Sequence, residues 1–208
     1  MSVKVKICGI TSVADGVAAV EAGADMIGLM FYERSPRHIS AATAAEISRA
    51  LSPFIVKVGV FVNPDEDTVM RAIGQCGVTL LQFHGEETPE FCAQFGVMSM
   101  KAFRVRDAAS LLALPNYATD AYLLDAYSPD AHGGTGAKFN WDLAINAKQH
   151  GKPIFLAGGL TPENIGEAVR QVQPFGVDVS SGVESAPGKK DHAKVQAFIK
   201  AARDSQPV

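Results

Sequence analysis

The sequence predicts an α/β fold of the (β/α)8 TIM-barrel class, and three observations carry that prediction. Eight short apolar runs recur along the chain, at residues 3–8, 25–31, 55–62, 79–83, 98–103, 121–125, 153–157 and 176–180. Helix-like segments separate most of them, as in parallel strands joined by helical crossovers, and eight strands close a barrel. With 208 residues the chain lies near the lower end of the roughly 200 to 400 residues such barrels span. Connections must therefore be short, and a single domain over 1–208 is expected. The competing architecture is a doubly wound open sheet, whose glycine fingerprint after the first strand is absent.

The first strand, Lys4-Val5-Lys6-Ile7-Cys8, alternates with a period of two. Lys4, Lys6 and Cys8 share one face, expected to look into the lumen, while Val3, Val5 and Ile7 meet the helices. Thr11 is the expected N-cap of a helix over 13–22 that stops at Gly23. Residues 40–51 begin with a Ser40 cap and end before Pro53; residues 65–76 follow Asn63-Pro64 and stop at Gly77. A short helix over 88–95 lies between Thr88-Pro89 and Gly96, and the fifth, over 107–114, is abbreviated by Pro115. Residues 141–150 end at Gly151, and a helix over 162–172 is expected with Thr161 as cap and Pro162 in its first turn. A last helix over 190–203 closes the barrel. Alternation places Lys57 with Ile55 and Gly59, and Asp178 with Ser180, on lumen faces, which predicts a polar layer of Lys6, Lys57 and Asp178 beneath the site.

Composition narrows the function classes. Hydrophobic residues make up 47% and charged residues 20%, with a net charge of −3, so the chain has the make-up of a globular protein and no electrostatic footprint for nucleic acid or an anionic membrane. Cys8, Cys76 and Cys92 are an odd count without metal-ligand spacing, which argues for a reducing compartment and against a disulfide framework. Cys76 and Cys92 fall on helices and are assigned no role. No signal peptide is expected, because a strand interrupted by Lys4 and Lys6 starts at once, and no apolar run approaches the roughly 18 residues of a membrane helix. A cytoplasmic location follows as the expectation.

The candidate chemistry sits at strand ends. Gly158 and Gly159 end the seventh strand, and Ser180, Ser181 and Gly182 end the eighth; together they can turn backbone N–H groups toward a phosphate, or simply turn the chain and cap a helix. Cys8 precedes a glycine at a strand end on the face of Lys6, although a free cysteine is more often a small buried hydrophobe. Asp125 ends the sixth strand after three apolar residues, as a catalytic carboxylate or as a turn cap. Arg37, in Ser35-Pro36-Arg37-His38, is either a clamp for a substrate carboxylate or a solvated arginine. Gln82 and His84 share a strand face and point up the lumen, to bind or to support. The loop His132-Gly133-Gly134-Thr135-Gly136 lacks the Walker lysine and reads as a cover or an anion contact.

Taken together, KICGIT at 6–11, SPRHIS at 35–40, VGVFVN at 58–63, LQFHGEE at 81–87, LLD at 123–125, GGTGAKFNW at 133–141, AGGL at 157–160 and DVSSGVES at 178–185 with PGKKD at 187–191 resemble the phosphoribosylanthranilate isomerases of tryptophan biosynthesis. The resemblance runs from the first strand to the last helix. It implies an Amadori rearrangement of a phosphoribosyl aminoaldose to 1-(2-carboxyphenylamino)-1-deoxyribulose 5-phosphate, with Cys8 as general base and Asp125 as general acid. It further implies Arg37 on the anthranilate carboxylate and the Gly158-Gly159 and Ser180-Ser181-Gly182 ends around the phosphate; Gln82, His84 and Asp178 join the expected substrate contacts through their places on lumen faces. Neither metal nor cofactor is called for, and the partner is a small phosphosugar bound by a monomer or homodimer. Two rivals stay open at this point: a histidine-pathway type of phosphosugar isomerase, which uses an aspartate where this chain has Cys8, and a noncatalytic phosphate-binding barrel, which needs neither Cys8 nor Asp125.

The chemistry sets a condition on these groups. An unperturbed aspartate titrates near about 3.9 and a thiol near about 8.5, so a neutral Asp125 at pH 7 costs about 4 kcal/mol unless its surroundings shift it. The phosphate and carboxylate of a bound substrate favour the protonated acid. Lys6, about 6.6 Å below Cys8 along the strand, is expected to favour the thiolate.

Overall fold

A computed structural model describes residues 2–126 and 141–205. Eight parallel strands close on themselves in sequence order: β1 (Lys4–Cys8), β2 (Met26–Met30), β3 (Val56–Phe61), β4 (Leu80–Phe83), β5 (Met98–Val105), β6 (Ala121–Ala126), β7 (Ile154–Ala157) and β8 (Gly176–Val179). The closing pair sets Lys6 opposite Asp178. Outside run α1 (Val13–Glu21), α2 (Ala41–Ala50), α3 (Glu66–Cys76), α4 (Pro89–Ala93), α5 (Trp141–Ala147), α6 (Ile165–Val172) and α7 (His192–Asp204). A small hairpin, β9 (Glu184–Ala186) with β10 (Lys189–Lys190), intervenes between β8 and α7. The expected barrel is thus the observed one.

Two apolar layers hold it together. Val5, Ile7, Ile27, Leu29, Phe61 and Phe83 face the helices, while Met26, Val58, Val60, Leu80, Met100, Leu123 and Phe155 fill the lumen. Size complementarity is explicit at the lower end of β8, where a Cβ on Gly176 would lie 2.3 Å from the Phe155 ring.

Four local expectations need correction. Lys57 faces the helix layer, not the lumen, because the register Met26↔Val56 and Val58↔Leu80 turns Val56, Val58 and Val60 inward. Its ammonium donates to the Ser52 carbonyl at 2.6 Å, and burial lowers its pKa. The N-cap of α1 is Ser12, which accepts from the Asp15 N–H at 3.1 Å; the Thr11 hydroxyl donates instead to the Gly188 carbonyl in the hairpin. The sixth helix starts at Ile165, with Asn164 at the N-cap position, rather than at Pro162, although the Thr161 hydroxyl still accepts from the Glu163 N–H at 3.3 Å. Asn164 is occupied elsewhere: it accepts from the Thr161 N–H and donates to Gly159 O at 2.9 Å, bracing the turn after β7. The abbreviated fifth helix has become two 3-10 turns, Ala108–Leu111 and Leu114–Asn116, the second pinned by the buried Tyr122 hydroxyl donating to Leu114 O at 2.6 Å. The 132–136 loop lies outside the described residues.

Candidate active site

Strand alternation collects the polar residues at the carboxyl ends. Cys8, Gln82, Arg104, Asp125 and Asp178 all fall on lumen positions of their strands, and in a parallel barrel those positions rise into the mouth. A cavity of about 670 Å³ opens there. Every sequence-predicted site residue lines it: Cys8, Arg37, Gln82, His84, Asp125, Gly158, Gly159, Asp178, Ser180, Ser181 and Gly182.

Cys8 is buried at the end of β1. Burial pushes its thiol above the ordinary value; the Lys6 ammonium pulls it back, Asp178 pushes it up again and Lys190 pulls it down. Lys6 therefore acts in the expected direction, but burial outweighs it. The Lys6 ammonium is fully buried and donates to Asp178 Oδ1 at 3.0 Å, so the predicted polar layer holds Lys6 and Asp178 without Lys57. The sulfur has room only because β2 carries Gly28 beside it: a Cβ there would lie 2.7 Å from Cys8 Sγ. A glycine inside an otherwise apolar strand is the signal that marks this residue, which the site prediction had missed. Gly28→Ala is expected to cost about 1–3 kcal/mol through overpacking and, by displacing the sulfur, on the order of 10²-fold in kcat. Thermal melts and steady-state kinetics on one preparation separate the two effects.

Gln82, His84 and Asp125 form a hydrogen-bonded chain along the mouth. Gln82 Nε2 lies 3.0 Å from His84 Nδ1, and His84 Nε2 lies 3.1 Å from Asp125 Oδ2. With the amide N–H donating to Nδ1, the ring proton sits on Nε2 and donates to the carboxylate. The Gln82 Oε1 atom is buried without a partner; turning the amide lets it accept from Nδ1–H, which frees Nε2 to accept a proton carried by Asp125. The loop that bears His84 is itself fixed by Glu87, whose carboxylate accepts from the Asn63 and Gly85 N–H groups and the buried Lys101 ammonium.

Arg37 reaches the cavity over a glycine. The loop after β2 curls back through a bridge between Met30 and His38, and the Arg37 side chain crosses Gly9, where a Cβ would lie 2.5 Å from Arg37 Cδ. Gly9 also has φ +73°, so the KICGIT glycine is required twice over. The turns after β7 and β8 complete the wall. Gly158 and Gly159 have φ 84° and 65°, a Cβ on Gly182 would lie 1.9 Å from Leu160 O, and the Ser180 hydroxyl is buried beside the cavity without a partner. Such tight glycine turns with an open hydroxyl suit an anion of phosphate size. Arg104 also lines the cavity, a charged residue that the sequence does not single out; it stands on the lumen face of β5 opposite Asp125, a register that only the strand pairing reveals.

A family model for N-(5'-phosphoribosyl)anthranilate (PRA) isomerase matches residues 5–201. The chain belongs to the N-(5'-phosphoribosyl)anthranilate isomerase family. The family enzyme from Geotalea uraniireducens is 56% identical over 200 residues, covering 96% of this chain and 98% of that one. The crystal structure of the Thermotoga maritima isomerase superposes with a TM-score of 0.92 at 41% identity, covering 97% of this chain and 99% of that one. A family structure in complex with reduced 1-(o-carboxyphenylamino)-1-deoxyribulose 5-phosphate has a TM-score of 0.88 at 39% identity, with coverage of 97% and 99%. Among the described residues no helix is long and apolar enough to cross a membrane, and no group of three or more histidine, cysteine or acidic side chains is placed to hold a metal ion.

Proposed function

We propose that this isomerase rearranges N-(5'-phosphoribosyl)anthranilate to its aminoketose by proton transfer between two protein groups, Asp125 as acid and Cys8 as base. What carries the reading is that one cavity is lined by both, with an arginine at one wall and the two glycine-serine turns at another. A barrel that merely held a phosphate needs neither group.

Asp125 delivers a proton to the ring oxygen as the furanose opens; Cys8 then removes the proton from sugar C2 of the resulting iminium, giving the enolamine that tautomerises to the ketone. A positioned acid and base supply about 10²–10⁴-fold each. His84, with its Nε2 unprotonated and Gln82 turned to accept from Nδ1, holds the Asp125 proton before transfer. The substrate phosphate lies against Gly158, Gly159, Ser180, Ser181 and Gly182, and the free Ser180 hydroxyl contributes a donor. Arg37 takes the anthranilate carboxylate, and the free oxygen of Asp178 takes a sugar hydroxyl. The three free cysteines are compatible with a cytoplasmic enzyme.

The raised thiol has a consequence for pH. The active form pairs a Cys8 thiolate with a protonated acid, and because a thiol ordinarily titrates above a carboxyl that form is a constant fraction between the two, so kcat/KM should hold level and then fall along an alkaline limb set by the raised thiol. Lys6→Met removes the nearest cation and should move that limb to still higher pH, read from the pH–rate profile and from the absorbance of the Cys8 thiolate. An unmoved limb removes Lys6 from the account. The reaction itself is tested by the loss of phosphoribosylanthranilate fluorescence on adding the purified protein, and by growth of a tryptophan-requiring strain that carries it. A protein without turnover in the first assay refutes the reading.

A further inference from the structure

The hairpin β9–β10 lies outside the barrel, and its charged residues converge on one side chain. Glu184 accepts from Arg37 Nε at 2.8 Å through Oε1 and from Arg37 Nη2 at 2.7 Å through Oε2, a two-point grip on one edge of the guanidinium. The Glu184 carboxylate is buried, its side chain 5% exposed, and it does not line the cavity, whereas Arg37 does. Glu184 thus stands behind the arginine. The Lys190 ammonium, itself fully buried, donates to Glu184 Oε1 at 2.9 Å and to Ser180 O at 3.3 Å, which ties the grip to the turn after β8. Asp15 anchors the hairpin in turn, accepting from the Lys190 N–H at 3.2 Å and pairing with His192 at 2.8 Å.

We propose that Glu184 is a positioning residue for substrate binding: by occupying the Nε–Nη2 edge it turns the Nη1 edge of Arg37 toward the substrate carboxylate, at a fixed distance from the phosphate turn. This rests on the assignment of Arg37 to the carboxylate. The charges support it. Two cations share one carboxylate in the Arg37–Glu184–Lys190 cluster, leaving one positive charge to meet an incoming anion. The guanidinium loses no rotamer freedom on binding, because the protein has already immobilised it, and affinity gained this way comes from preorganisation. The burial of Glu184 works against its ionised form, and the hydrogen bonds from Arg37 and Lys190 more than reverse that, leaving its carboxyl below the usual range. The grip therefore persists through the neutral range.

Two ligands that differ only in the carboxylate test the proposal. One is reduced 1-(o-carboxyphenylamino)-1-deoxyribulose 5-phosphate; the other is its counterpart made from aniline. For Glu184→Gln the first is expected to bind at least tenfold more weakly and the second within twofold of wild type, with KM rising more than kcat falls. Equal weakening of both ligands, or of neither, overturns the proposal. Arg37→Met is measured in parallel. If it discriminates between the ligands and Glu184→Gln does not, positioning by Glu184 fails alone; if Arg37→Met does not discriminate, it is the carboxylate assignment that fails. Should Glu184→Gln not fold, the wild-type protein decides. Its Arg37 Nε–H resonance, identified by its loss in Arg37→Met, should be slow to exchange with water before any ligand is added, and protection that appears only with the carboxylated ligand overturns the proposal.

Discussion

Cys8→Ala and Asp125→Asn should each lower kcat/KM for phosphoribosylanthranilate by about 10²–10⁴-fold while the fold and the phosphate site survive. Both side chains line the same cavity, and neither carries much of the packing: Cys8 contributes one small sulfur to the lumen, and Asp125 pairs with His84 at the barrel mouth. Stability should therefore change by little in either variant, and the loss should appear in kcat. The two losses should not add. An acid and a base that serve successive steps of one reaction act as a unit, so the double variant is expected to be only slightly slower than the worse single one. Fluorescence kinetics on the three variants, with the affinity for the reduced product analogue as a control on binding, check the expectation. Full activity in either single variant ends the acid–base assignment.

The second large effect is on stability. Asp178→Leu strands the Lys6 ammonium in a site with no solvent access, and breaking a buried pair by removing one partner costs about 3–5 kcal/mol. For a chain of this length that corresponds to a fall in Tm of roughly 10 °C. The pH dependence should change sign as well. In the intact protein burial lowers the Lys6 pKa, but the Asp178 carboxylate and the Cys8 thiolate together raise it above the ordinary value. Its contribution is then fully present below about pH 10.4 and disappears as pH rises through the raised folded value. Without Asp178, burial dominates and the folded pKa drops below the unfolded one. The unfolded chain then binds more protons, and stability climbs with pH through the alkaline range. Adding Lys6→Met to Asp178→Leu removes the stranded charge and should recover most of the loss, since an apolar replacement of a buried pair is often neutral. Denaturant melts at pH 7 and pH 9.5 on the three proteins are sufficient, and an Asp178→Leu protein as stable as wild type at pH 7 contradicts the account.

Much of the site was legible because it follows from periodicity that is local. Cys8, Gln82, Asp125 and Asp178 lie at or one short of the ends of their strands on the face that alternation assigns to the lumen, His84 follows β4 in the same phase, and residues at the ends of parallel strands meet whichever helices lie between them. The KICGIT, SPRHIS and DVSSGVES segments carried the rest through resemblance. Lys57 shows where alternation gives out. Val-Lys-Val-Gly-Val-Phe sets three valines on one face against Lys57, Gly59 and Phe61 on the other, and because both faces of a barrel strand are buried, the choice of which meets the lumen falls to the neighbouring strands. Thr161 shows a second limit: its hydroxyl accepts from the Glu163 N–H as local rules expect, yet the regular helix begins only at Ile165, beyond the Asn164 side chain that braces the Gly159 turn.

From the order of its residues alone, this protein was committed to eight parallel strands, to a thiol and a carboxyl at the mouth of the barrel, and to a glycine-serine cradle beside them. Period-two burial is a property of neighbours in the chain, and it repeats in every strand. Only the closed structure decided that Lys6 meets Asp178 rather than Lys57, that Gly28 leaves space for the Cys8 sulfur, and that Glu184 grips Arg37 from 147 positions away. Those pairings depend on register, barrel closure and the path of a hairpin, which are set by the balance of many distant contacts and by no single stretch of sequence.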